Sequence, residues 1–119
     1  IVSVDPATMT LSVDGDVLSV DVCNVIPAMK AGHIAEVAGV TQANWVPVHA
    51  ADMSSKLVPD LHVLGDASQL GDMPNSAFSA NSQAKVCAAG LLSTLTGAPL
   101  LTPGDSNTCW ALITQNYSV

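Results

Sequence analysis

The residues best placed for chemistry are a glycine and an aspartate that follow a short apolar run. Residues 61–66 (LHVLGD) predict a strand that closes on Gly65 and Asp66. Because ligands of open α/β sheets bind beyond the carboxyl ends of strands, Asp66 is placed to accept hydrogen bonds from the hydroxyl groups of a sugar or sugar alcohol. An aspartate after a strand is more often a turn or cap residue, and spacing alone leaves both interpretations open.

A long helix is predicted after this strand and a polar loop. Asn75 or Ser76 is the expected N-cap, and Gly97 is the expected C-cap. The backbone N–H groups near Ser76 and Ala77 are therefore placed to stabilise partial negative charge on a heterocycle oxygen. Small and apolar residues recur every three or four positions, which predicts an inward face made of Ala77, Ala80, Ala84, Cys87, Leu91 and Leu95.

The first 26 residues predict a β-hairpin that leads into the interior. Polar and apolar residues alternate over 8–13, and the alternation resumes over 17–22 after Asp14-Gly15, a dipeptide typical of hairpin turns. From Cys23 to Ile26 the alternation stops, so the second strand is predicted to enter a buried sheet, and Pro27 ends it.

The remaining segments predict short elements joined by loops. A short helix is expected over 30–38, with Gly39 at its end. Residues 41–60 predict a loop with one edge strand over 45–48, where Trp45 is expected to anchor the loop by packing. Residues 107–113 predict a last strand.

Composition limits the classes of partner. The chain has 119 residues, of which 49% are hydrophobic and 11% charged, as in one small globular domain. The formal net charge is −7, so nucleic acid and acidic membranes are expected to be poor partners. We expect no membrane span and no signal peptide, because the apolar runs are short.

The cysteines and histidines do not form a recognisable metal or disulfide pattern. The three cysteines, Cys23, Cys87 and Cys109, include no C-x-x-C pair. Cys23 lies in the predicted buried strand and Cys87 on the predicted helix face, so both are expected to pack as small hydrophobic residues. The three histidines lack ligand-like spacing, so no metal site is predicted. No Ser-His-Asp arrangement supports a hydrolase.

Two runs of the sequence resemble a flavoprotein motif. Residues 61–67 (LHVLGDA) and 73–86 (MPNSAFSANSQAKV) resemble the second flavin-binding motif of two-dinucleotide-domain flavoproteins. More closely, they are similar to the flavoprotein subunit of flavocytochrome c sulfide dehydrogenase. The resemblance covers essentially the whole chain, and the run SAFSANSQAK is its most specific part. Four shorter segments resemble the same family in the same order: 25–27 (VIP), 31–35 (AGHIA), 45–48 (WVPV) and 107–110 (NTCW).

The resemblance implies an α/β fold: a fragment of a two-dinucleotide-binding-domain, glutathione-reductase-like flavoprotein, with a β-hairpin, buried strands and one long helix. Residues 1–26 correspond to the hairpin and strand that end the nucleotide-type domain. Residues 27–97 correspond to the C-terminal part of the FAD-binding domain, and 98–119 to the start of the C-terminal flavocytochrome-type region. The Gly-x-Gly-x-x-Gly turn that holds the FAD pyrophosphate in this family is absent from the sequence. We therefore expect an internal or C-terminal part of a longer enzyme, inactive by itself.

The resemblance also implies a cofactor and a site. FAD is the expected cofactor, with its ribityl and phosphate part at the Gly-Asp pair and its ring at the N-terminus of the helix. Cys109 is the implied catalytic residue, the later member of a cysteine pair that handles sulfide sulfur beside the flavin, and the partner cysteine is missing here. Asn75 stands where the resemblance predicts Lys. The implied cofactor-binding residues are Gly65, Asp66, Met73, Pro74, Ser76 and Ala77.

The expected function is therefore part of a periplasmic FAD-dependent sulfide:cytochrome c oxidoreductase. Its expected partners are a c-type cytochrome subunit, the remaining part of the flavoprotein, and sulfide. Two alternatives stay open: a non-catalytic structural or docking module on the same scaffold, and an NADH- or quinone-linked flavoprotein relative. Bound flavin would favour the flavoenzyme over a structural or docking module. Loss of activity in a Cys109→Ser variant would favour sulfide oxidation over an NADH- or quinone-linked reaction.

Overall fold

The chain folds into three small sheets and one long helix. The computed structural model describes residues 1–101 and 103–119. An antiparallel three-stranded sheet occupies the N-terminus, a two-stranded parallel sheet and the long helix form the centre, and a two-stranded hairpin lies at the C-terminus. Within these two ranges, no helix has the length and apolar character needed to cross a bilayer.

The N-terminal sheet is a meander that contains the predicted hairpin. Strands β1 (Ser3–Asp5), β2 (Thr10–Val13) and β3 (Asp16–Ser19) pair in that order. Asp14 and Gly15 form the two-residue turn, with φ of 48° and 95°. Positive φ at both positions is what a type I′ turn requires, so the predicted hairpin is confirmed.

The predicted continuation of β3 into the interior is wrong. Val22 is 87% exposed, Ile26 is 76% exposed, and Cys23 is exposed as well. The N–H of Val20 donates to Met9, and beyond it no neighbouring strand in the described chain pairs with this segment. Without a partner strand the backbone hydrogen bonds of a strand cannot form.

Two short elements connect the sheet to the central body. Helix α1 (His33–Val37) is followed by Gly39 in the left-handed conformation, with φ of 68°, as predicted. Strand β4 (Val46–Pro47) confirms the predicted edge strand and pairs in parallel with β5 (Ser68–Gln69).

The strand predicted immediately before Gly65 does not form. In its place, His62 makes one isolated bridge with Ser54, and the chain then enters a 3-10 helix, Gly65–Ala67. Met53 and Asp60, which border the two bridged segments, have φ of 60° each. Left-handed residues interrupt extended backbone, so the ladder cannot grow beyond a single bridge.

The long helix α2 (Ala77–Thr96) begins and ends where the sequence predicts. The hydroxyl oxygen of the N-cap Ser76 accepts a hydrogen bond from the N–H of Ser79 at 3.0 Å. At the other end Gly97 is left-handed, with φ of 69°, and its N–H donates to the carbonyl of Ser93. Both caps are therefore confirmed.

The predicted inward face of α2 is wrong for most of its residues. Of that set Cys87 is buried and Ala80 is half-buried beside Gly65, whereas Leu95 is 82% exposed. The buried positions still follow helical spacing, but the face is rotated and largely polar. They are Ser79, Ser82, Gln83, Val86, Cys87 and Gly90.

The hydrophobic core lies between α2, α1 and β4. Helix α2 contributes Val86 and Cys87, and Met53 is fully buried among the loop residues opposite them. Partly buried apolar side chains from the loops, including Leu61 and Val63, pack around this centre. The buried members are Ala31, Ala35, Val40, Val46, Val48, Met53, Val86 and Cys87.

The last predicted strand is shorter than expected and lies further along the chain. Strand β6 (Leu112–Thr114) pairs antiparallel with β7 (Tyr117–Ser118), and both are exposed. Asn107 is instead hydrogen-bonded to the beginning of α2, which holds it out of any sheet. The assignment to an α/β, glutathione-reductase-like flavoprotein stays a prediction.

Candidate functional site

Two adjoining cavities beside Trp45 form the candidate site, which we call the Trp45 cleft. Their volumes are about 380 Å³ and about 320 Å³, within the usual range for small-molecule pockets. Trp45 and Asn75 line both cavities, so the two form one continuous surface. The first is also lined by Met29, Lys30, Ala31, Gly32, Asp66 and Ala67, and the second by Ser68, Gln69, Leu70, Gly71 and Met73.

Asp66 reaches the cleft from the 3-10 helix, which α2 holds in place. The N–H of Gly65 donates to Oε1 of Gln83 at 2.6 Å, and the Ser68 hydroxyl donates to the Gly65 carbonyl at 2.8 Å. Gly65 has a φ of 72°, a conformation that favours glycine. One long-range and one local hydrogen bond thus hold the turn in place.

Asp66 and Asn75 approach the cleft from different segments and line the same cavity. Asn75 directly precedes the N-cap Ser76, so the cleft adjoins the beginning of α2. The Asp66 carboxylate accepts hydrogen bonds, the Asn75 amide donates and accepts them, and the half-buried Trp45 offers an aromatic surface. This combination suits a planar heterocycle that carries hydroxyl groups.

The six predicted cofactor-binding residues divide into two groups. Asp66 and Met73 line the Trp45 cleft. The side chain of Ser76 is used to cap α2, and the N–H of Gly65 is used by Gln83. The residues that do not line either cavity are Gly65, Pro74, Ser76 and Ala77.

The predicted cofactor-binding residues include neither Trp45 nor Asn75, although both line the cleft. The sequence predicts that Trp45 anchors a loop by packing, and it marks Asn75 as a possible helix cap and as the position where the resemblance predicts Lys. The chain contains few aromatic residues, 3% of the total, and two tryptophans. A tryptophan in a loop before an edge strand was therefore a signal for a ligand surface as well as for packing.

Cys109 is exposed and is connected to the beginning of α2 through Asn107. The Asn107 amide donates to the Cys109 sulfur at 3.0 Å. Its carbonyl oxygen accepts from the hydroxyls of Ser76 at 2.6 Å and Ser79 at 3.0 Å. The two serines hold the amide carbonyl, so the amide N–H group faces the sulfur. The predicted catalytic cysteine and the N-cap of α2 therefore belong to one hydrogen-bonded cluster.

The other two cysteines have different environments. Cys23 is exposed in the segment after β3, whereas Cys87 is buried in the core as predicted. Burial raises the pKa of the Cys87 thiol above its usual value, and the nearby Asp52 carboxylate raises that pKa further. Cys87 therefore stays a protonated thiol at neutral pH, which makes it a poor nucleophile.

Alkylation should distinguish the exposed cysteines from the buried one in the folded protein. Iodoacetamide at neutral pH is expected to add to Cys23 and Cys109, which are exposed, and to spare Cys87. Intact-mass spectrometry should show two adducts on the native protein and three after unfolding in guanidinium chloride. A third adduct that forms on the native protein as fast as the first two would contradict the burial of Cys87.

No known protein-family model matches this chain. In the part of the chain that the structure describes, no group of three or more His, Cys, Asp or Glu side chains is arranged to hold a metal ion.

Proposed function

We propose that this chain is part of a periplasmic FAD-dependent sulfide:cytochrome c oxidoreductase, with the flavin in the Trp45 cleft. The observation that carries the proposal is that Asp66 and Asn75, from separate segments, line one concave surface with Trp45. Residues 1–26 end the nucleotide-type domain, 27–97 belong to the FAD-binding domain, and 98–119 begin the flavocytochrome-type region.

The polar and aromatic side chains of the cleft fit the hydroxyl-bearing and ring parts of FAD. Asp66 accepts hydrogen bonds from ribityl hydroxyls, Trp45 packs against a flat ring, and Asn75 donates to a ring oxygen. Lys30, which also lines the cleft, is paired with Glu36, so its charge is already partly neutralised. The pyrophosphate is therefore assigned to the remaining part of the flavoprotein. When bound, FAD accepts the two electrons removed from sulfide, and a c-type cytochrome receives them.

Cys109 is assigned the handling of substrate sulfur. In the longer enzyme Cys109 would form a disulfide with a second cysteine that the remaining flavoprotein supplies, and sulfide would attack that disulfide to leave a persulfide on one cysteine and a thiolate on the other. Asn107 positions the Cys109 sulfur relative to α2, because its amide bonds both the sulfur and the serines of the first helical turn. Gly65 and Ser76 do not line the cleft. They hold the neighbouring turn and the first turn of α2 through hydrogen bonds to Gln83 and Ser79.

A titration with FAD tests the flavin site. The titration uses the natural gene product that carries this sequence, which we expect to quench FAD fluorescence and to retain flavin absorbance at about 450 nm. Asp66→Ala should weaken FAD binding about 10- to 100-fold, since a hydrogen bond to a charged group contributes about 1.5–3 kcal/mol. Asp72→Ala is the matched control, because Asp72 is exposed, does not line the cleft, and carries the same charge. Equal affinity of the two variants, or a protein that does not bind FAD, would refute the proposal.

A structural or docking module is the second candidate, and the extended shape of the chain favours it. The radius of gyration is 19.2 Å, whereas a compact domain of this length has roughly 13–14 Å. Large apolar side chains such as Trp110 and Leu101 are about four-fifths exposed, at 79% and 80%. A colourless protein that ignores added FAD would support this candidate.

A further inference from the structure

Gln83 is a buried polar side chain in the middle of the inward face of α2. It is 3% exposed, and its Oε1 accepts a hydrogen bond from the Gly65 N–H at 2.6 Å and lies 3.4 Å from the Ser68 hydroxyl, which donates to the Gly65 carbonyl. The first distance is short and the second is long, so the bond to Gly65 dominates. A buried amide that reaches 18 residues back along the chain joins α2 to the turn that carries Asp66.

The bond from Gln83 satisfies the N-terminal end of the turn, where no side-chain cap is present. The 3-10 helix Gly65–Ala67 is preceded by Leu64, which makes no side-chain capping bond. The first N–H groups of any helix lack partners within that helix. Gln83 supplies the missing acceptor from α2, which makes it a cap provided by a distant element.

The contact between the turn and α2 is also close. A Cβ at Gly65 would lie 3.5 Å from the Cβ of Ala80, one helical turn before Gln83. Gly65 has a positive φ, which glycine adopts readily and which a residue with a Cβ rarely adopts. Asp66 is the next residue of the same turn and lines the Trp45 cleft.

We propose that Gln83 is a positioning residue of the Trp45 cleft: its side-chain carbonyl sets the Gly65–Ala67 turn and thereby directs Asp66 at the ligand. Gln83 does not touch the cleft, since it is absent from the residues that line it. The consequence for ligand affinity rests on the proposed flavin function, whereas the effect on the turn does not.

Hydrogen exchange without flavin tests the effect on the turn. In the wild-type protein the Gly65 amide should exchange at least about tenfold more slowly than an open amide. Gln83→Met keeps the length of the side chain but removes the carbonyl, so Gly65 should lose that protection. Gln83→Glu keeps an acceptor oxygen and should restore it. Asn81→Met is the matched control, since Asn81 is exposed on α2. An unprotected Gly65 amide in the wild type would overturn the proposal even if a variant failed to fold.

The FAD titration tests the consequence for the ligand. We expect Gln83→Met to weaken FAD binding about five- to twentyfold, with Gln83→Glu within about threefold of the wild type. Equal losses in the two variants would overturn the proposal, because a merely structural role would not depend on the acceptor atom. If the wild type does not bind FAD, the proposed function fails, and the Gly65 exchange rates still decide whether Gln83 sets the turn.

Discussion

Gly90→Ala is expected to destabilise the protein by about 2–3 kcal/mol, although this change in a helix interior ordinarily stabilises by about 0.5–1 kcal/mol. Gly90 lies on the inward face of α2, where a Cβ would meet the Cβ of Asp52 well inside van der Waals contact. It would also lie 3.0 Å from the Asp52 Cα, which is backbone. A rotamer change cannot relieve a clash with backbone, so α2 must move away from the loop.

Urea unfolding followed by circular dichroism measures this effect. Gly104→Ala is the matched control, because a Cβ there meets nothing within 4 Å, and we expect a change below about 0.5 kcal/mol. A displaced α2 should also expose Cys87, so the Gly90→Ala protein should gain the third iodoacetamide adduct. A variant as stable as the wild type would show that α2 does not pack against Asp52 as closely as described.

Cys109→Ser is expected to lower sulfide-dependent reduction of cytochrome c by about 10³-fold or more, with flavin content unchanged. A thiolate is the nucleophile in thiol–disulfide exchange, and a serine hydroxyl at neutral pH does not replace it. Asn107 can still hydrogen-bond the serine oxygen, so the cluster at the beginning of α2 should remain intact. The assay uses the natural gene product that carries this sequence, with a c-type cytochrome as the electron acceptor that the proposed function requires.

Cys23→Ser is the control for this experiment. Cys23 is also an exposed thiol, but it lines a separate cavity beside the N-terminal sheet. We expect the Cys23→Ser enzyme to keep its full rate. If Cys109→Ser keeps its rate with NADH or a quinone as the redox partner, the NADH- or quinone-linked flavoprotein is the better assignment.

Local signals in the sequence were enough to predict several elements. Asp14-Gly15 between alternating runs predicts the hairpin, because few residues adopt positive φ at both positions of the turn. Ser76 and Gly97 predict the ends of α2, because the capping groups lie within four residues of the groups they satisfy. Asp66 and Met73, which the flavoprotein resemblance implies as cofactor-binding residues, both line the Trp45 cleft, and their role stays a prediction.

The sequence by itself therefore determined where turns and helix ends fall, and the tertiary structure decided which faces are buried. Apolar periodicity predicts Leu91 and Leu95 on the inward face of α2. The structure buries Ser79, Ser82 and Gln83 on that face instead. A polar side chain is buried at little cost when it finds a hydrogen-bond partner, and here the partners are Asn107, Ser106 and Gly65, 18 to 28 residues away. Pairings over that distance leave no periodic signal, because they exist only after the chain has folded.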